Sequence, residues 1–281
     1  MQNSTSPSME RQKISAFVVC KNEEHHIDLC LRGLEFCDEI LVVDSFSTDN
    51  TLKLCERHNV KVIQREWPGY RLQKEFATKQ LSHDWVLFVD ADEFVSDELR
   101  NEILDILSEK SEHKINDFSG FYVNRVMFHH GIWWREGGWY PEYRLRLFKR
   151  DEVIWGGREP HETTSVKGKT SKLKGELYHF SYENLEDQIT KLSSHAYVRA
   201  REDFKEGKRA GPMSLLFKPI ARFIKFFFFK KGFKHGTPAL VVGMTEAFYT
   251  FLKYARLWEI ERENLGMKKE PKTLQDLKDL L

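Results

Sequence analysis

Five consecutive apolar residues, Trp85-Val86-Leu87-Phe88-Val89, run directly into three carboxylates, Asp90, Asp92 and Glu93. An unbroken apolar run of this length reads as a fully buried strand. Its end would deliver the acids to the edge of a sheet, where open α/β folds bind ligands. A carboxylate abutting a buried run is costly to desolvate without a partner, so Asp90 demands an explanation. Asp90 and Asp92 share a face of an extended chain. A turn after Asp90 would instead let one touch a metal and the other a sugar or ribose. Hard oxygen ligands of this kind suit Mg²⁺ or Mn²⁺ bridging a diphosphate. The competing explanation is an acidic cap on the next helix, whose start is marked by Ser96 followed by Asp97 and Glu98.

The chain before this junction repeats its logic. Ile14 to Val19 reads as a strand ending at Cys20-Lys21-Asn22-Glu23-Glu24, and Ile27, Leu31 and Leu34 follow at helical spacing. Glu39 to Val43 is a second strand, closed by Asp44. Ser45-Phe46-Ser47-Thr48-Asp49-Asn50 carries helix-start chemistry for a helix over 51–58. Val60 to Ile63 is a third strand, and Gly69 to Leu81 a helix before Trp85. Alternating strands and helices with short links predict right-handed crossovers and a mostly parallel, Rossmann-like sheet flanked by helices.

Neither G-x-G-x-x-G after the first strand nor G-x-x-x-x-G-K-[ST] occurs, which argues against a dinucleotide fold and a P-loop NTPase. A nucleotide would then be held by polar residues at the strand ends: Asn22 and Glu23, Asp44 and Ser45, Asp90 and Asp92. Asp44 could accept hydrogen bonds from a base edge or ribose, or could cap a helix. The four cysteines, Cys20, Cys30, Cys37 and Cys55, lack zinc-like spacing and read as reduced thiols of a cytosolic protein. With a net charge of +1, no global affinity for nucleic acid is expected. Met1 to Lys13 is polar, lacks the apolar core of a signal peptide and is expected to be a disordered tail.

The segments Val18-Val19-Cys20-Lys21-Asn22-Glu23-Glu24, Val43-Asp44-Ser45-Phe46-Ser47-Thr48-Asp49 and Phe88-Val89-Asp90-Ala91-Asp92-Glu93 resemble family 2 glycosyltransferases of the GT-A fold. They are most similar to the bacterial branch of lipopolysaccharide core biosynthesis glycosyltransferases, β-1,4-glucosyltransferase-like. The resemblance spans about residues 14–180, and the tail beyond also looks like that branch. It implies that Asn22, Glu23, Asp44 and Ser45 hold the nucleotide, and that Asp90 and Asp92 hold the metal and donor sugar. It also implies that Gln73 and Lys74 face the donor; otherwise they lie on a solvated helix face.

Phe118 to Phe128 alternates as a strand and carries Arg125. Gly131 to Tyr140 holds Trp133, Trp134 and Trp139 among glycines, a pattern suited to stacking on a sugar or gripping a lipid-linked acceptor, or to plugging the sheet from beneath. Arg144-Leu145-Arg146-Leu147-Phe148 is an alternating strand, and either arginine, Arg144 being the choice here, could meet a diphosphate. Gly156-Gly157-Arg158-Glu159-Pro160 should fix a tight path that presents His161 and Glu162. Inverting sugar transfer needs one base for the acceptor hydroxyl. By resemblance, that base is Glu162, with His161 orienting it or touching phosphate. Metal-dependent GT-A enzymes often recruit a distant histidine to the metal. His179, at the end of a further strand, fits as a third ligand beside Asp92 and Asp90.

Leu185 to Glu206 reads as a helix. Pro212 to Phe229 mixes Leu, Ile and Phe with Lys218, Arg222 and Lys225, and Ala239 to Arg262 is a last apolar-striped helix. From Arg199 to Lys234, eleven basic residues face only Glu202, Asp203 and Glu206, which suits an anionic headgroup region. The helices could equally pack on each other or form a homo-oligomer interface. The expected organisation is a tail over 1–13, a catalytic domain over 14–183 and a helical appendage over 184–281. The expected activity is inverting, metal-dependent (Mn²⁺ or Mg²⁺) transfer of a hexose from a UDP-sugar, with UDP-glucose favoured. The acceptor would be a lipid-linked saccharide at the inner face of the cytoplasmic membrane. A sugar-nucleotide nucleotidyltransferase would instead need a Gly-rich, Arg-containing loop where Lys21 to Glu24 stand. A nucleotide-binding scaffold without catalysis would leave the acids and His161-Glu162 unexplained.

Overall fold

A computed structural model of the chain describes residues 11–108, 115–136, 138–158 and 161–265, with the backbone alone for Arg158, His161 and Glu162. The chain divides into two compact units: 1–135 with 139–181, and 136–138 with 182–281. Of the tail expected over 1–13, residues 1–10 lie outside the described residues. Arg11 to Lys13 are held in place: Arg11 bridges Ser108 and pairs with Asp38 at 2.8 Å, and the Gln12 amide donates to the Leu107 carbonyl at 2.9 Å.

The first unit opens with β1 (Ile14–Cys20), α1 (Ile27–Arg32), β2 (Glu39–Asp44), α2 (Thr51–Cys55), β3 (Lys61–Gln64), α3 (Tyr70–Lys79) and β4 (Trp85–Asp90). It continues through β5 (Glu93–Val95), α4 (Asp97–Leu107), β6 (Gly120–His129), β7 (Ile132–Trp134), β8 (Glu142–Lys149), β9 (Val153–Arg158), β10 (His161–Val166) and β11 (Thr170–Phe180). Among the described residues nine strands form one sheet in the order β3-β2-β1-β4-β8-β6-β11-β5, with β7 paired to β6. The pairs from β3 to β4 are parallel, as is β6 with β11, while β8, β7 and β5 run antiparallel to their neighbours. Four of these eight pairings are parallel and six of the nine strands run the same way, so the sheet is mostly parallel by strand direction, in the manner of the GT-A fold.

Strand alternation explains the continuous apolar runs. Trp85, Leu87 and Val89 pack to one side with Ile27 and Leu31 of α1 and with Leu99 and Ile103 of α4. Val86 and Phe88 pack to the other side with Ala77 of α3. Both faces of β4 are covered, so neither can carry polar residues. Burying each such side chain contributes roughly 1.5–3 kcal/mol. Ser96 starts α4 as expected, its Oγ accepting from the Leu99 amide at 3.1 Å with Asp97 and Glu98 in the first turn.

Two segments take forms that the sequence pattern left open. The tryptophan segment does form a packed element: β7 is a strand, Trp134 is fully buried, and its indole N–H donates to the His129 carbonyl at 3.0 Å. Trp133 sits among Phe128, Tyr178 and Phe180, with ring centroids 4.6–5.6 Å away. The glycine-rich stretch expected to fix a tight path belongs to two antiparallel strands, β9 against β10, in which Glu162 is opposite Gly157. Glu159 and Pro160 lie outside the described residues.

The second unit comprises α5 (Leu185–Lys205), α6 (Pro212–Ile224), a π-helical turn at Lys225–Phe229 and α7 (Thr237–Asn264). Asn184 caps α5 by accepting from the Asp187 amide at 2.9 Å. Ala200 and Leu257 join α5 to α7. Beside them the buried Asp203 carboxylate gathers Lys208 at 2.9 Å and Lys253 and Arg199 at 3.2 Å. Of the helical appendage expected over 184–281, residues 266–281 lie outside the described residues.

Candidate active site

Parallel neighbours end at one rim. Cys20 is in register with Asp44 and Val19 with Asp90, so the residues after β1, β2 and β4 converge there. Asn22 takes a left-handed conformation, φ +56°, and its Oδ1 accepts from the Thr48 amide at 2.8 Å. Its own amide donates to Ser47 Oγ at 2.8 Å. The Glu23 amide likewise donates to Thr51 Oγ1 at 2.8 Å. These bonds clamp the two rim loops together.

Asp44 is fully buried and accepts from the Ser47 amide at 3.0 Å, from Gln64 Nε2 at 3.1 Å and from the Ser47 hydroxyl. Its carboxylate thus shapes the loop from inside. Ser45 Oγ accepts from Gln73 Nε2 at 3.1 Å, and Gln73 Oε1 accepts from Arg65 at 3.0 Å. Gln73 and Lys74 are buried, so the solvated-face alternative does not hold for this part of α3.

Asp90 has the partners that its position demands. Arg146 approaches its carboxylate at 2.6 Å and Lys74 at 3.8 Å. Burial pushes the Asp90 carboxyl up, but Arg146 and then Lys74 outweigh burial and hold it well below the usual carboxylate range. Glu93, fully buried, accepts from the Asp90 amide at 3.0 Å and from Arg125 at 3.3 Å, and also pairs with Arg146. Arg125 reaches on to Glu142 at 2.8 Å, which in turn pairs with Arg144. Burial lowers the Arg146 pKa, and Asp90 and Glu93 more than restore it. Its guanidinium also lies 4.4 Å from the Phe88 ring centroid.

These side chains bound a cleft of about 430 Å³. Lys74, Arg125, Arg144 and Arg146 line it with Asp90, while Glu93 and Glu142 pair with the arginines from behind, and Tyr122, Tyr143, Thr163 and Thr164 complete the wall among the described residues. Arg146 Nε is buried there with no hydrogen-bond partner among the described residues. A surplus of positive charge and an unspent donor suit an anionic ligand.

Residues 91 and 92 form the turn that separates the two aspartates. Asp92 Oδ2 lies 3.2 Å from His179 Nε2, and Ser181 Oγ bonds the other ring nitrogen at 2.8 Å. Burial pushes the Asp92 carboxyl up and the neighbouring His179 brings it down, for a net lowering. Adjacent ligands on an octahedral ion with bonds near 2.1 Å lie about 3.0 Å apart, so this oxygen–nitrogen pair fits a divalent cation. Among the described residues no group of three His, Cys, Asp or Glu side chains assembles for a metal. Asp90, expected as a further ligand, is instead taken up by Arg146 and Lys74. Small hard cations usually keep waters and substrate phosphates as their remaining ligands, so two protein donors suffice. The side chains of His161 and Glu162 lie outside the described residues; their backbone begins β10.

Sequence reasoning passed over two residues. Glu93 was legible as the third acid of its run, but its partners are 32 and 53 residues away. Arg146 was one of two equivalent arginines on an alternating strand. Burial separates them, since Arg146 is 5% exposed and Arg144 pairs with Glu142 toward solvent.

An open α/β sheet of GT-A type, with acids at the carboxyl ends of its parallel strands and arginines from β6 and β8 beside them, is the arrangement in which α/β enzymes bind small ligands. The family model "Glycosyl transferase family 2" matches residues 15–163, and the chain belongs to that family. It is 29% identical over 253 residues to the lipopolysaccharide core biosynthesis glycosyltransferase LpsC of Rhizobium meliloti, covering 88% of this chain and 92% of that protein. It is 30% identical over 265 residues to an uncharacterized glycosyltransferase of Rickettsia felis, covering 88% and 90%. Among solved structures it resembles S. aureus TarS, with a TM-score of 0.43 at 18% identity over 90% of this chain and 92% of that one. It also resembles glucosyl-3-phosphoglycerate synthase of Mycobacterium tuberculosis, solved with Mn²⁺, UDP and glucosyl-3-phosphoglycerate, with a TM-score of 0.34 at 21% identity over 42% and 44%. The protein is a glycosyltransferase.

Proposed function

We propose that this glycosyltransferase inverts configuration, depends on a divalent metal and moves a hexose from a nucleoside-diphosphate sugar, UDP-glucose, to a lipid-linked saccharide such as a lipopolysaccharide core. The observation that carries the reading is the cleft lined by Lys74, Arg125, Arg144 and Arg146, four cations that among the described residues pair with three acids, Asp90, Glu93 and Glu142. It has the charge and size for a sugar diphosphate. Asn22, Glu23, Asp44 and Ser45 form the rim for the nucleotide, Gln73 and Lys74 support its phosphates, and Arg144 meets the diphosphate from β8. Asp90, held ionised by its cations, accepts from sugar hydroxyls.

Asp92 and His179 would hold Mn²⁺ or Mg²⁺, which when bound neutralises charge on the leaving diphosphate. Glu162 takes the proton of the acceptor hydroxyl, with His161 orienting it. The freed oxygen pair attacks the anomeric carbon from the face opposite the leaving group. The bond from that carbon to the diphosphate oxygen breaks, and its electron pair leaves with the nucleotide. No helix among the described residues is long and apolar enough to cross a membrane. In this reading the lipid-linked acceptor is met at the surface of the inner leaflet, from the cytoplasmic side.

Turnover of UDP-glucose with lipopolysaccharide-core acceptors tests the reading. Asp92→Ala and Glu162→Gln should each lower kcat by roughly a hundredfold or more, the scale of a lost positioned proton acceptor or metal ligand. Undiminished transfer by both variants would reject the assigned chemistry.

A further inference from the structure

The second unit carries an apolar surface that its own helices leave uncovered. α6 buries no residue, although Met213, Leu216, Phe217, Ile220 and Ile224 recur at helical spacing. Met213 is 70% exposed and Phe229, in the turn that follows, 78%. On α7 a second stripe, Leu240, Met244, Phe248 and Phe251, is also exposed.

The packing of the two helices tells how these stripes lie. A Cβ added to Gly243 of α7 would stand 3.0 Å from Phe223 and 3.3 Å from Phe226, so those residues mark the contact side. Arg222 Nε donates to Glu246 at 2.7 Å, and with Phe226 near Gly243 this pairing makes the helices antiparallel. At about 100° per residue, each exposed stripe lies roughly 100° round from its own contact side, in the same sense. Equal offsets in the same sense on antiparallel helices fall on one side of the pair. The stripes therefore form one continuous apolar face, and the Arg222–Glu246 pair lies on the other side.

Charge says what covers it. From Gly207 to Thr245 the chain has eight Lys and Arg and no Asp or Glu; Lys208, Arg209, Arg222 and Lys234 pair with acids outside that stretch, and Lys218, Lys225, Lys230 and Lys231 make no ion pair among the described residues. Phe229 and Phe233 stand beside Lys230, Lys231 and Lys234 in the segment joining the helices, all exposed. A second copy would bring the same positive charge to the same face, which disfavours self-association. Anionic lipid offers the opposite charge beside an apolar phase, where basic side chains and phenylalanines both gain. We infer that the α6–α7 face lies on an anionic lipid bilayer, with its apolar side chains entering at headgroup depth. This deepens the lipid-linked acceptor reading and rests on it for why a bilayer is near.

The test is co-sedimentation of the full chain with phosphatidylglycerol–phosphatidylethanolamine vesicles and with phosphatidylcholine vesicles. Wild type should partition onto the anionic vesicles at least about tenfold better than onto the neutral ones. Leu216→Glu with Met244→Glu should lower that partitioning at least about tenfold with an unchanged circular dichroism spectrum and melting point. Lys218→Glu with Lys230→Glu should weaken binding to anionic vesicles alone, and Ile189→Glu on α5 should change nothing. The inference is overturned if wild type fails to pellet with anionic vesicles, or if the Leu216–Met244 variant pellets like wild type. A wild-type dimer that those glutamates dissociate, without vesicle binding, would also overturn it in favour of a second copy. Vesicle binding involves no sugar transfer, so its loss leaves the transferase chemistry standing, and an inactive protein that still binds vesicles leaves the surface standing.

Discussion

Arg146 is the side chain on which the charges of the cleft depend. It is the near partner of Asp90 and joins Arg125 in neutralising the buried Glu93. Truncating one member of a buried ionic group strands the others, at a cost of about 3–5 kcal/mol. Arg146→Met should therefore lower the unfolding free energy by that amount in urea titrations and raise KM for the donor. A stability change below about 0.5 kcal/mol, the usual range for surface substitutions, would show that the network is dispensable. Asp203 in the helical unit gives a cleaner pH signature. Burial raises its pKa, but Lys208 and Lys253 outweigh burial and lower it overall. The folded value lies below the unfolded one, near 3.9, so the stabilisation is complete above about pH 4 and disappears as pH falls through the folded value. Asp203→Asn should cost about 1.5–3 kcal/mol at pH 7, the scale of charged hydrogen bonds. That gap should close toward pH 3 in parallel denaturant titrations of variant and wild type. A gap that is constant with pH would remove Asp203 from the account.

Local pattern carried most of the element-level information. The apolar runs of β1, β2 and β4 are long because both faces are buried, and Ser96 marked α4 because capping is a local bond. Long-range pairing was not legible. Arg146 meets Asp90 across 56 residues, and β9 and β10 pair across a stretch whose glycines read as a turn. The bulge in β11 is another case, for nothing near Gly175 signals it. The register of β11 against β6 shifts between Lys172 and Glu176. The amides of Lys174 and Gly175 donate to Glu102 of α4 at 2.8 Å, bringing strand and helix backbones together. A Cβ at Gly175 would stand 2.3 Å from the Leu99 Cα. Gly175→Ala should therefore destabilise by about 1–3 kcal/mol or more, the cost of overpacking against an atom that cannot move away. Denaturant titration of the full chain reads this directly, and a variant as stable as wild type would mean that β11 can withdraw from α4 at little cost.

At the scale of the whole molecule, charge is distributed rather than accumulated. The net charge is +1, yet the cleft at the sheet edge and the segment from Gly207 to Thr245 are both cationic, leaving acids in excess elsewhere. Two positive regions on a nearly neutral chain suit the two anionic ligands proposed above, one of them small. If the small ligand is a sugar diphosphate, Asp92 and His179 alone cannot retain a metal tightly, because two protein donors leave most of its coordination to water and phosphate. Metal and nucleotide sugar should then bind as a linked pair, each raising the affinity for the other by the same factor. A ligand at about 100 times its Kd stabilises the folded state by about 2.7 kcal/mol. UDP-glucose with Mn²⁺ should accordingly raise the melting temperature well beyond the sum of the two shifts measured singly. EDTA should reduce the shift to that of the nucleotide sugar alone, and Asp92→Ala should abolish the synergy while leaving the melting point of the unliganded protein within a few degrees. Synergy that survives in Asp92→Ala would place the metal elsewhere, and a full shift with UDP-glucose in EDTA would mean that the cations lining the cleft bind the diphosphate without metal.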